Sequence, residues 1–114
     1  MSPATPIKTP ERFAVYWIDL DPTTGHEIRK THPCVIISPD IINCRLNTVI
    51  VAPLTSTIRD FPCRLPLSFN KKRGEIALDQ MRCIDKSRLG KYMGQLSGAV
   101  SETLLLILTE MFAP

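Results

Sequence analysis

The spacing of apolar residues changes once along this chain, from the pattern of β-strands to that of a helix. This change limits the possible folds more than any other feature of the sequence. Over the first three quarters, apolar residues come in short runs rich in Val, Ile, Tyr and Trp, interrupted by Pro, Gly, Asp or Asn, which is typical of β-strands. Strands are predicted at residues 14–20, 34–38 and 48–53, with an edge strand at 63–67 and one or two strands within 75–84. Residues 39–43 are expected to form a turn.

From residue 97 to residue 112 the period becomes helical. The apolar side chains recur every three or four residues, at Val100, Leu104, Ile107, Leu108 and Met111, and Ser97 or Ser101 is the expected N-cap. A mainly β chain that ends in one helix predicts a small, partly open β-barrel. The wide apolar face of the helix has two explanations: it plugs one end of the barrel, or part of it meets another subunit.

Composition sets further bounds. A length of 114 residues predicts one domain, assigned to residues 12–114, after a polar, proline-rich and flexible lead-in at residues 1–11. No apolar run approaches the roughly 20 residues of a membrane helix, and the lead-in lacks the apolar centre of a signal peptide, so we expect a cytoplasmic protein.

The four cysteines contain no C-x-x-C pair and are expected to be free thiols, with Cys34 and Cys83 packed as small hydrophobes. No metal site and no cofactor are expected.

The net charge of +3 is mild, but the basic residues are clustered. The clusters are 29–30, 71–73 and Lys86, Arg88 and Lys91, each in a predicted loop. Gathered on one face, two of them would attract phosphate, whereas solvated loop charge is the alternative explanation.

One polar loop concentrates the groups that move protons near neutral pH. Residues 19–32 join two predicted strands and contain both histidines of the chain, His26 and His32, together with Glu27. Loops between strands often carry function. In the strand before this loop, alternation turns one of Tyr16 and Trp17 to the core and leaves the other for base stacking or packing against a subunit.

Several blocks in the same order resemble the MazF/PemK family of toxins from bacterial type II toxin–antitoxin pairs. The resemblance covers residue 12 to the end of the chain and rests on the segments 15–27, 33–38, 49–56 and 77–89, which include Gly25-His26-Glu27, Pro53-Leu54-Thr55 and Asp79-Gln80.

The resemblance implies an SH3-like barrel of the CcdB/MazF type with a C-terminal helix, acting as a homodimer. It implies metal-independent, sequence-selective cleavage of single-stranded RNA, with mRNA the expected target, and hence inhibition of translation and growth. In that reaction the 2′-hydroxyl attacks the neighbouring phosphate and leaves a 2′,3′-cyclic phosphate and a 5′-hydroxyl. A cognate antitoxin protein is the other implied partner.

The resemblance and the chemistry together nominate the site residues. The candidate catalytic residues are His32, Thr55, Glu27 and His26, and the candidate RNA-binding residues are Arg29, Lys30, Lys71, Arg73, Asp79 and Arg82. Thr55 matches the family threonine whose hydroxyl faces the scissile phosphate. Arg82 is expected either to contact RNA or to hold the loop, and Asp79 to bind loop amides or RNA.

The main departure from the family pattern is His32, which stands where the family has arginine before proline, and Ile28 stands at a glutamine position. In one interpretation His32 transfers a proton while Arg29 or Lys30 supplies the missing positive charge. In the other, the protein is a weakened toxin that binds RNA or antitoxin without cleavage. A gyrase poison of the CcdB type is a third hypothesis, disfavoured by the blocks around His26 and Thr55.

Overall fold

The computed structural model describes residues 9–114, so most of the predicted lead-in lies outside the described residues. The end of that segment is bonded to the domain. The carbonyl oxygen of Pro10 accepts a hydrogen bond from Asn43 Nδ2 at 3.1 Å, and the backbone N–H of Arg12, the first residue of the predicted domain, donates to Asp40 Oδ1 at 2.7 Å.

The described chain forms an antiparallel β-structure that ends in a helix. The strands are β1 (Ala14–Asp19), β2 (Thr31–Ile36), β3 (Thr48–Thr55), β4 (Arg64–Phe69), β5 (Lys72–Ala77), β6 (Arg82–Asp85) and β7 (Leu89–Gln95). The helices are a short α1 (Asp40–Asn43) and the C-terminal α2 (Gly98–Met111). The strand order is β4-β5-β3-β2-β1-β7, with β6 also paired to β3. The predicted fold class, mainly β with a C-terminal helix, is confirmed.

Three elements differ from the sequence prediction. Strand β2 begins at Thr31 and not at residue 34, so His32 lies in a strand and not in the loop that contains His26. Strand β7 was not predicted, because it is an edge strand that contains Gly90 and Gly94 and leaves many of its side chains exposed, so it lacks an apolar pattern. The expected turn at 39–43 contains the short helix α1 instead. The assignment of all three basic clusters to loops is also wrong in part, since Lys72 and Arg73 lie in β5 and Lys91 lies in β7.

Helix α2 closes one side of the β-structure. Leu104 is fully buried in a core cluster with residues of β1, β2, β3 and β5, and Ser97 Oγ caps the helix by accepting from the backbone N–H of Val100 at 3.3 Å. The plugging role predicted for the helix is therefore confirmed for this face. Leu106, on the side of the helix opposite Leu104, and Phe112, just after its end, are mostly exposed, and the meeting of part of the helix with another subunit stays a prediction.

The cysteines and aromatic residues of the strands divide between core and surface. Cys34 is buried in β2, where desolvation raises the pKa of its thiol to about 12, but Cys83 is exposed because Ile84, its neighbour in β6, takes the inward position. The prediction that Cys83 packs as a buried thiol is wrong. Tyr16 is half-buried and meets Tyr92 edge-on with ring centroids 5.5 Å apart, whereas Trp17 is 44% exposed.

Among residues 9–114, no helix has both the length and the apolar character needed to cross a membrane.

Candidate active site

Strand register brings His32 and Thr55 to the same place. Strands β2 and β3 pair Cys34 with Pro53 and Val35 with Ala52, and continuing that register by two residues sets His32 opposite Thr55. Residues opposite each other in an antiparallel pair project from the same face of the sheet. Two residues that are 23 positions apart in sequence therefore line one cleft.

The ring of His32 is held by the neighbouring strand. Its Nδ1 lies 3.2 Å from the carbonyl oxygen of Leu54, and the ring is half-buried. Because a carbonyl oxygen only accepts hydrogen bonds, Nδ1 is the nitrogen that carries the hydrogen. Nε2 is therefore the basic nitrogen of the neutral ring and the second N–H donor of the protonated ring.

Thr55 is buried at the end of β3, and its hydroxyl oxygen accepts the backbone N–H of Thr57 at 3.1 Å. That bond occupies a lone pair and leaves the hydroxyl hydrogen free to be donated. A fixed O–H donor suits a phosphate oxygen.

His26 lies on the same cleft although it belongs to the exposed loop between β1 and β2. The side chain of Gln80 holds this loop: its Nε2 donates to the carbonyl oxygen of His26 at 3.4 Å, and its Oε1 accepts the N–H of Ile28 at 3.2 Å. Gln80 lies in the helical turn that follows β5, so the loop is fastened to the sheet close to Thr55.

The cleft has a volume of about 440 Å³. Besides both histidines and Thr55, its lining includes two arginines, Arg59 and Arg64, and the carboxylate of Asp79. It thus combines two imidazoles, a hydroxyl donor and guanidinium groups. Such a set can move protons and stabilise negative charge on a phosphate.

Glu27 is not among the residues that line this cleft. Its Oε1 accepts the backbone N–H of Thr24 at 2.9 Å and so closes the tip of the β1–β2 loop. The side chain borders a neighbouring depression that also contains Arg82. Glu27 therefore lines a different depression from His32 and Thr55, and the catalytic role predicted for it receives no support from this placement.

A second cleft, of about 330 Å³, adjoins the first, and His32 and Thr55 line both. Its wall is largely apolar, with Trp17, Phe69 and Met93 contributing side chains. The exposed indole of Trp17 lies in this cleft. Of the two aromatic residues Tyr16 and Trp17, Trp17 is therefore the one left open for base stacking.

Comparisons with known proteins point to one family of toxins. A family model described as PemK-like, MazF-like toxin of type II toxin–antitoxin system matches residues 11–112. Endoribonuclease PemK of Escherichia coli is 31% identical over 101 residues, covering 83% of this chain and 76% of PemK. Endoribonuclease EndoA of Bacillus subtilis is 35% identical over 85 residues, covering 69% of this chain and 73% of EndoA.

The chain belongs to the PemK/MazF toxin family.

Solved structures share the fold of this PemK/MazF chain. MazF from Deinococcus radiodurans superposes with a TM-score of 0.79 at 22% identity, covering 90% of this chain and 96% of that one. An endoribonuclease from a mycobacterial species, solved in complex with its cognate antitoxin, superposes with a TM-score of 0.78 at 24% identity, covering 92% and 97%. The family resemblance predicted from the sequence is confirmed.

The predicted RNA-binding residues of this PemK/MazF chain lie in different settings. Arg29 and Lys30 are exposed on the β1–β2 loop and do not line either cleft, whereas Arg73 lines the apolar cleft. Lys71 lies in the β4–β5 turn with a positive φ of 66°. Arg82 Nη1 donates to the carbonyl oxygen of Leu20 at 2.9 Å, which supports the alternative that it holds the loop.

Asp79 forms a two-bond ion pair with Arg64, through Nε to Oδ1 at 2.6 Å and Nη2 to Oδ2 at 3.1 Å. The hydrogen bond from Arg64 is the main cause that lowers the pKa of the Asp79 carboxyl, and the same bond raises the pKa of the guanidinium. Asp79 is thereby engaged with a cation at the edge of the cleft.

Sequence reasoning missed three charged residues of the site: Arg59, Arg64 and Glu75. Glu75 is 2% exposed in β5, directly opposite Thr55, and its carboxylate accepts the backbone N–H groups of Arg59 and Asp60. A carboxylate between Gly74 and Ile76 in a strand is a signal that could have been noticed, because a buried charge requires partners. The arginines gave no local signal, since they lie apart from the basic clusters.

Proposed function

We propose that this PemK/MazF chain is a toxin that inhibits translation and growth as a sequence-selective endoribonuclease, cleaving single-stranded RNA, with mRNA the main target. The observation that carries the proposal is the cleft lined by both histidines of the chain and by Thr55. The curated names of PemK and EndoA, both endoribonucleases, support an RNA-cleaving enzyme.

In the proposed reaction the 2′-hydroxyl oxygen attacks the adjacent phosphorus while the bond from phosphorus to the 5′-oxygen breaks. The 2′-hydroxyl proton passes to Nε2 of neutral His32, and the 5′-oxygen takes a proton from protonated His26. The products are a 2′,3′-cyclic phosphate and a 5′-hydroxyl. Thr55 donates its hydroxyl hydrogen to a non-bridging phosphate oxygen as negative charge develops there.

Both proton transfers are thus assigned to side chains, and the proposed reaction proceeds without a metal ion. A base and an acid of the same chemical type must start in opposite protonation states, so the cleavage rate should depend on pH as a bell-shaped curve.

The partners follow from the family. We propose that the protein acts in the cytoplasm as a homodimer and is neutralised by a cognate antitoxin. The mycobacterial relative solved with its antitoxin supports the second partner. The exposed Leu106 on α2 and Phe112 just after it offer apolar surface for such contacts.

The test is cleavage of a long RNA of mixed sequence by purified protein in excess EDTA, with both fragment ends mapped. Discrete cuts with 5′-hydroxyl and cyclic phosphate ends are expected. His32→Ala should lower the rate by about 10² or more and remove the acid-side limb of the pH curve, and His26→Ala should remove the alkaline-side limb.

Arg45→Gln is the matched control, because Arg45 is exposed and lies outside both clefts. Full activity of both histidine variants would move the chemistry to other groups. Intact RNA from folded wild-type protein would contradict the proposal and leave a binding protein.

A further inference from the structure

The cleft has a charge requirement that its histidines do not meet. During attack, negative charge builds on the non-bridging phosphate oxygens, and a permanent cation or strong donor is needed beside them. His32 stands where the family has arginine, and an imidazole that accepts a proton as base is neutral at the start of the reaction. The first candidates for the missing charge, Arg29 and Lys30, do not line the cleft.

Two arginines do line it, and their surroundings differ. The Arg64 side chain is 6% exposed and lies between two carboxylates, Asp79 with two hydrogen bonds and Glu75 at 3.5 Å. Its charge is therefore compensated, and its donors are committed to protein oxygens. The side chain of Arg59 is exposed and forms no hydrogen bond or ion pair with any residue in the 9–114 range.

The backbone of Arg59 is fixed relative to the reacting groups. Glu75 lies opposite Thr55 in the β3–β5 pair, and its Oε1 and Oε2 accept the backbone N–H groups of Arg59 at 2.9 Å and Asp60 at 3.2 Å. The chain turns sharply there, since Asp60 has a φ of 56°. Glu75 thus ties the loop after β3 to β5, at the position opposite Thr55, while the Arg59 side chain stays uncommitted.

We propose that Arg59 is the cation that contacts the scissile phosphate and stabilises its developing charge, in place of the arginine that His32 replaces, and that Glu75 is its positioning residue. This inference rests on the proposed RNA cleavage. A guanidinium is protonated throughout the working pH range, so this division of labour leaves His32 to exchange protons and Arg59 to supply fixed charge.

The deciding comparison uses Arg59→Gln, Arg59→Lys and the control Arg45→Gln on an RNA that contains one mapped cut. We expect Arg59→Gln to lower kcat by about 10²–10³. Arg59→Lys should retain activity within about tenfold of the wild-type value, since lysine keeps the positive charge but lacks the paired N–H donors of the guanidinium. Because arginine does not titrate in this range, the rate should fall by the same factor at every pH, unlike the loss of one limb expected for the histidine variants.

Binding separates a catalytic role from simple attraction. The dissociation constant is measured for the same RNA with a 2′-deoxyribose at the cut, which cannot react. Arg59→Gln should weaken this binding less than about tenfold, with a salt slope reduced by about one phosphate contact. If Arg59→Gln cleaves within threefold of the wild-type rate, or if it loses only affinity for RNA, the proposal for Arg59 is overturned.

Glu75 is tested through Arg59. If it acts by positioning, Glu75→Gln should lower kcat in the wild-type background but have little further effect when Arg59 is already Gln. A purely structural role would give the same factor in both backgrounds. Wild-type protein that binds RNA but cuts none would refute the proposed function and this inference together, whereas normal cutting by Arg59→Gln refutes this inference alone.

Discussion

Gly74 lets β5 pass unusually close to the strand that carries Thr55. An ideal Cβ placed on Gly74 would stand 2.4 Å from the carbonyl oxygen of Thr55 and 3.2 Å from its carbonyl carbon. Carbon and oxygen atoms in the closest ordinary contacts are about 3.3 Å apart, so alanine at this position must push the two strands apart by roughly 1 Å. Both atoms in the clash with Thr55 are backbone atoms, so no side-chain rotation relieves it.

The cost of Gly74→Ala can be worked from two opposing effects. Overpacking of this kind typically destabilises by about 1–3 kcal/mol, and replacing glycine by alanine within a strand returns about 0.5–1 kcal/mol. Because both clashing atoms belong to the backbone, the upper part of the overpacking range applies, about 2–3 kcal/mol, and the net loss is about 1–2.5 kcal/mol. For a domain of this size, each kcal/mol corresponds to about 4 °C, so Tm should fall by about 4–10 °C.

The assay is thermal unfolding followed by calorimetry, with Gly98→Ala as the matched control. Gly98 is the first residue of α2 and has no atom within 4 Å of an added Cβ, so its replacement should raise Tm slightly. RNA cleavage by Gly74→Ala at 25 °C should also fall by about tenfold or more, because Thr55 moves with its carbonyl group. A Tm for Gly74→Ala equal to that of the wild-type protein would refute the close approach of the two strands.

Three further outcomes are expected. The Asp79 carboxyl has a pKa below its ordinary value of 3.8, mainly through its hydrogen bond from Arg64. The ion pair therefore contributes stability above pH 3.8, and this contribution is lost as pH falls through the lowered pKa. Urea unfolding should show that Asp79→Asn is clearly less stable than the wild-type protein at pH 7, and that the difference shrinks below about pH 4. In native protein at pH 8, iodoacetamide should label exposed Cys44 but not buried Cys34, whose pKa is about 12, and equal labelling detected by mass spectrometry would contradict the buried position of β2. Ser97→Ala removes the N-cap of α2 and should cost about 1 kcal/mol in the free energy of unfolding, whereas Ser97→Asp should preserve it.

Much of the fold was predictable because its signals are local. The strand pattern of β1, β2 and β3 and the helical period from Ser97 onward depend on residues a few positions apart, and the structure confirms them. Strand β7 escaped prediction since an edge strand with two glycines and exposed side chains carries no apolar alternation. Its place is set by pairing with β1, which is a long-range contact.

The candidate site was predictable only in part. His26, His32 and Thr55 were nominated by residue type and by family resemblance, and they do share a cleft. Glu27 was nominated on the same grounds but closes its own loop instead. An exposed carboxylate has several partners within reach, and the sequence does not indicate which one the loop conformation brings nearest.

The sequence by itself determined the class of fold, the family and the residue types available for chemistry, because these depend on local periodicity and on blocks that keep their spacing. Only the tertiary structure decided which charges are free. It pairs Arg64 with Asp79, buries Glu75 opposite Thr55, and leaves the Arg59 guanidinium uncommitted in the cleft. The physical reason is that electrostatic compensation depends on distances between strands that are remote in sequence, and those distances exist only once the sheet has formed.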